Sequence, residues 1–81
     1  MKAQNLRIRM MEAANIRIDM TFAASATELL PLLLPPALRS KLDRRSIHLP
    51  SIATAARAND YAPGELFRFE EKRQVVSAWL E

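Results

Sequence analysis

Few side chains in this sequence could act on a bond. His48 is the only histidine, and an imidazole serves as base or metal ligand only with partners held beside it. The nearest carboxylate in sequence, Asp43, lies across an expected connection, so His48 reads as a helix-start or surface residue. Glu70 and Glu71 are adjacent. Neighbours on a strand point to opposite faces, so these two cannot share a proton or flank one glycosidic bond. Ser25 has no base placed near it and suits a helix cap better than a nucleophile. Gly64 is the only glycine, too little for a phosphate-cradling loop. With no cysteine there is no disulfide, thiolate metal site or thiol nucleophile. No histidine or carboxylate pair has metal-ligand spacing. The expectation is a protein that is not an enzyme, needs no cofactor and takes no small-molecule substrate.

Two groups of residues suit binding instead. Arg7, Arg9 and Arg17 alternate with apolar residues and fall on one side of a strand pair, a surface able to meet an anion. Arg44 and Arg45 would add charge from a connection. That side lacks an aromatic of its own, so the base-stacking platform of sheet-based RNA binders is missing. Leu66, Val75 and Trp79 form the second group. They occupy the positions left outside if Phe67, Phe69, Val76, Ala78 and Leu80 fill the core, and an exposed apolar cluster holding a tryptophan marks a contact surface. A covering helix would bury the same face instead.

The elements that must position these groups follow from periodicity. Leu6, Ile8 and Met10 alternate with Arg7 and Arg9, and Ile16, Ile18, Met20 and Phe22 alternate with Arg17, Asp19 and Thr21. The pattern predicts a hairpin turning at Glu12 to Asn15. A loop centred on Ala13 sets Ile8 opposite Ile18, Met10 opposite Ile16 and Arg9 opposite Arg17, with Asn15 as the residue most tolerant of a left-handed conformation. Like charges opposed this way destabilise unless Arg7 and Asp19 pair across the strands or an anionic partner binds.

Ser25-Ala26-Thr27-Glu28 has capping-box spacing, so a helix is expected to start there. Pro31 disturbs its early turns, and Pro35-Pro36 ends it. A second helix is expected over Ala37 to Leu42, with Leu38 and Leu42 on one face, and a third over Ile47 to Ala58, with Pro50 in its first turn and a stripe of Leu49, Ile52, Ala53 and Ala56. The breakers Asn59 to Gly64 then lead to a second hairpin. Centring its loop between Lys72 and Arg73 pairs Phe69 with Val76 and Phe67 with Ala78, and sets Leu66 beside Trp79 on the other face. The last strand is a candidate free edge able to pair with its copy in another chain.

The whole therefore reads as an α+β fold of ββααββ order, one two-layer domain over residues 1–81 with two or three short helices. Its 81 residues suit a core of only one or two layers. The net charge of +3, carried mainly by nine arginines, is mild for a dedicated nucleic-acid binder. Met1 to Met10 lacks a signal-peptide apolar run, and Leu29 to Leu38 holds three prolines and is far short of the roughly 20 residues that span a bilayer. A soluble cytoplasmic protein is expected, with a protein partner or a second copy of itself as its ligand, and nucleic acid as the alternative.

Leu6, Ile8 and Met10, then Ile47-His48-Leu49, then Val76-Ser77-Ala78-Trp79-Leu80-Glu81, follow one another as in the SHOCT-like domain of small bacterial and envelope-stress-associated proteins, which the chain resembles over nearly its whole length. His48 departs from the pattern by standing where that family has a helix-capping aspartate, so that cap is missing at the start of the last helix. The resemblance implies the α+β fold and brings no catalytic residue.

Overall fold

The computed structural model describes residues 2–81. Strands β1 (Asn5–Glu12) and β2 (Asn15–Ala23) form the first hairpin. A 3₁₀ segment (Ala24–Leu29) leads into α1 (Leu30–Leu33), followed by α2 (Pro36–Arg44), α3 (Leu49–Ala58) and the second hairpin, β3 (Gly64–Glu71) with β4 (Gln74–Leu80). The α+β class and the succession of hairpin, short helices and hairpin expected from periodicity are those observed, with three helices between the hairpins.

The two hairpins merge into one antiparallel sheet of order β2-β1-β4-β3. The seam is β1 against β4, running from Leu6 opposite Leu80 to Glu12 opposite Gln74. Backbone bonds from the Gln4 and Asn5 N–H groups to the Glu81 carbonyl, at 2.8 and 2.9 Å, extend it. This corrects the expected free edge. β4 is a central strand, its hydrogen-bonding groups occupied on both sides, and the edges are β2 and β3.

One face of the sheet carries the core. Leu6 and Ile8 of β1, Phe67 and Phe69 of β3, and Val76, Ala78 and Leu80 of β4 are buried against Leu30, Leu34, Leu38, Leu42, Leu49 and Ala56 of the helical layer. The central strands are the driest, with Leu6, Ile8, Val76 and Ala78 at 0% exposure. Fully burying one such branched side chain contributes about 1.5–3 kcal/mol. Edge strand β2 is less well covered, since Ile18, Met20 and Phe22 only border the core.

The register of β3 and β4 is the expected one as far as Phe67, with Phe69 opposite Val76 and Phe67 opposite Ala78. That of β1 and β2 is not. Ile8 faces Met20, Met10 faces Ile18, and Arg9 faces Asp19 rather than Arg17. The turn has two residues, Ala13 and Ala14, both at positive φ (50° and 68°), and a bulge at Arg17 absorbs the extra residue. Asn15, expected to take the left-handed conformation, instead begins β2. Alanine has no preference for that region, so only the pull of the two apolar faces into alignment explains its use here.

The capping box does not form. The residue ahead of the 3₁₀ segment is Ala23, with no side-chain cap, and Thr27 Oγ1 donates to the Ala24 carbonyl at 2.7 Å. Glu28 is drawn away to charge-assisted bonds, accepting from Arg57 Nε at 2.6 Å and from the Tyr61 hydroxyl at 2.7 Å. These bonds fasten the 3₁₀ segment to α3. They hold the Glu28 carboxyl below its ordinary value, with the Tyr61 hydroxyl the larger cause and Arg57 the second. The third helix starts two residues later than expected, at Leu49, with His48 ahead of it sharing a 2.6 Å hydrogen bond with Ser51 Oγ.

Candidate functional site: the open face of the sheet

The strand residues pointing away from the helices form three rows across the sheet. From β2 to β3 these are Thr21, Arg7, Trp79 and Glu65; then Asp19, Arg9, Ser77 and Arg68; then Ile16, Met11, Val75 and Glu70. The arginines of the first hairpin and the tryptophan of the second therefore share one face, which separate hairpins could not reveal. The seam brings them together. Arg7 stands directly opposite Trp79, and the guanidinium carbons of Arg7 and Arg9 lie 5.5 and 5.4 Å from the Trp79 ring centroid. Stacking of this kind is worth about 0.5–1 kcal/mol at an exposed site and more where water is excluded.

Carboxylates complete the cluster. Asp19 accepts from Arg7 at 2.8 Å and lies 3.6 Å from Arg9, while Glu81 accepts from Arg7 at 3.0 Å. The bond from Arg7 is the main reason that the Asp19 carboxyl is held below its ordinary value of 3.8; desolvation, the next largest effect, opposes it, and the charges of Arg7 and Arg9 add to the lowering. In return Asp19, then Glu81, hold the Arg7 guanidinium more firmly protonated. The expected Arg7–Asp19 pair is present, as a diagonal rather than a direct opposition. The Nε atoms of both Arg7 and Arg9 are buried without a hydrogen-bond partner, while the outer nitrogens face Asp19 and Glu81.

Arg17 occupies the bulge and makes no ion pair among the described contacts. Arg45 lies on the other side of the sheet, stacked 5.1 Å over Phe69 and paired with Glu71 at 3.6 Å, so it adds no charge to Arg7 and Arg9. Leu66 is also corrected. A second bulge makes Glu65, not Leu66, the partner of Trp79. Leu66 packs toward the core and lines, with Ile52 and Ala55 of α3, a cavity of about 360 Å³. An extra residue in one strand re-aims a side chain in this way. Of the expected trio, Val75 and Trp79 remain together on the open face.

Ser77, the smallest side chain of the middle row, floors a depression of about 260 Å³. Arg9 and Met11 wall it on one side, Glu65 and Arg68 on the other, and Val75 and Trp79 close its ends. No helical residue lines it. Among the described residues, no helix is long and apolar enough to cross a membrane, and no group of three or more histidine or carboxylate side chains could hold a metal ion. No protein-family model matches the chain, and neither a curated protein nor a solved structure matches it significantly.

Proposed function

We propose that this chain is a small non-enzymatic protein-interaction module whose contact surface is the open sheet face around Trp79. The observation that carries the reading is the stack of Arg7 and Arg9 on Trp79 in the middle of a four-stranded face lined by no helix. Tryptophan and arginine are the residue types that most often anchor protein interfaces, above all near the centre of a patch. Here they are already ordered by one another, which lowers the conformational entropy lost on docking.

A nucleic-acid reading through Arg7, Arg9 and Arg17 has less support. Asp19, Glu65, Glu70 and Glu81 stand on the same face, and Arg7 and Arg9 already have carboxylate partners. Phosphate binding needs uncompensated positive charge, and it weakens steeply with salt.

Size exclusion with light scattering on the wild type and on Trp79→Arg tests the proposal, with thermal melts as the folding control. Loss of the central aromatic is expected to weaken association by about 2 kcal/mol or more. The same monomeric mass and stability in both proteins would remove the support.

A further inference from the structure

We infer that the partner of this face is a second copy of the chain, packed face to face about a two-fold axis parallel to the strands and lying between β1 and β4. The inference deepens the reading of the Trp79 surface and rests on it. It adds which molecule binds and in what orientation.

Three features of the face select this arrangement. The first is shape. A two-fold axis along the strands lays β1 of one copy over β4 of the other and keeps every row in line. Arg9, among the longest side chains of the face, then stands over the Ser77 depression of its mate. The long residue and the small one already lie in the same row.

The second is charge. The same operation lays β2 over β3, so Asp19 of one copy meets Arg68 of the other, and the reciprocal pair forms as well. Arg68 is free to turn toward its mate, since its only ion pair among the described residues is with Glu70 on the same strand and the side chain is 53% exposed. An axis perpendicular to the strands would set Arg9 on Arg9 and Arg68 on Arg68, like charges that oppose the contact.

The third is area. Four strands about 4.8 Å apart and eight residues at about 3.3 Å each cover roughly 500 Å² a side, or about 1,000 Å² for both, which reaches the lower bound for a specific interface. Val75 and Met11, which the operation lays over one another, supply the apolar contact of the third row.

The chain has no cysteine, so single introduced thiols report on this geometry without background. Two positions separate it from its rival, in which the free edges of β2 pair. In the face-to-face dimer the two Ser77 residues are offset by one strand spacing of about 4.8 Å across a gap of about 10 Å, while the two Thr21 residues are offset by about 14 Å. Ser77→Cys is therefore expected to form a covalent dimer with a short bismaleimide, and Thr21→Cys to stay monomeric on a denaturing gel. As a second measurement, Ser77→Arg fills the depression and is expected to raise the dimer Kd by about thirty-fold while keeping the fold by circular dichroism. A dimer broken by Trp79→Arg that cross-links at Thr21, or at neither position, overturns this arrangement and leaves the Trp79 surface standing. A wild-type chain that remains monomeric at millimolar concentration overturns it as well.

Discussion

The two faces of the sheet are built from the same strands, one residue out of step, and they obey different physics. On the covered face, Leu6, Ile8, Val76 and Ala78 are sealed by the helices and contribute through dry packing. On the open face, Arg7, Arg9 and Trp79 are half-buried only by one another, held by stacking, hydrogen bonds and shared carboxylates. The first face fixes the fold. The second is ordered without being sealed, which leaves it available to something else.

That contrast can be broken by substitution. Ile8→Ala should cost about 2–5 kcal/mol in urea unfolding, the range for cavity-forming changes at fully buried sites. Val75→Ala, on the opposite face, should cost under about 1 kcal/mol because the group it removes already touches water. Comparable losses at the two positions would mean that the open face is part of the core.

A smaller effect of opposite sign is expected at the first turn. Ala13 and Ala14 both sit in the left-handed region, where a non-glycine residue costs about 1–2 kcal/mol. Replacing them with Asn-Gly should raise stability by about 1–2 kcal/mol, read as a higher melting temperature. No gain would argue that the turn differs from the one described.

The smallest effect concerns acid. Because the folded-state value of Asp19 is depressed by Arg7, its stabilising contribution is fully present above 3.8 and is lost as the pH falls through the depressed value. Melting curves of the wild type and Asp19→Asn should differ at neutral pH and converge once the pH has fallen below the depressed value. A gap that persists in strong acid would show that Asp19 acts through something other than its charge.

The alternation of Leu6 to Phe22 and of Leu66 to Leu80 was enough to read both hairpins and the apolar face of each. The second register was legible as far as Phe67 because a two-residue turn centred between Lys72 and Arg73 leaves no slack there. The first was misread because unbroken alternation through Ile16 and Ile18 requires an odd loop, whereas a bulge at Arg17, silent in composition, lets a two-residue turn keep both apolar faces aligned. The bulge at Leu66 hid in the same way and moved that residue off the candidate surface. The seam between β1 and β4 leaves no local trace, since pairing between distant strands depends on which faces fit rather than on any short motif. With the seam unread, Trp79 and the arginines looked like two rival sites when they form one.

That seam also governs how the molecule comes together. Each hairpin joins neighbours in sequence and can zip early at little entropic expense. Residues 5–12 and 74–80 must instead find each other across nearly the entire chain, so the driest strip of the sheet is the one with the largest entropic cost of closure. A chain with both hairpins formed and the seam open would expose two inner edges at once, the arrangement most open to pairing with the wrong strand.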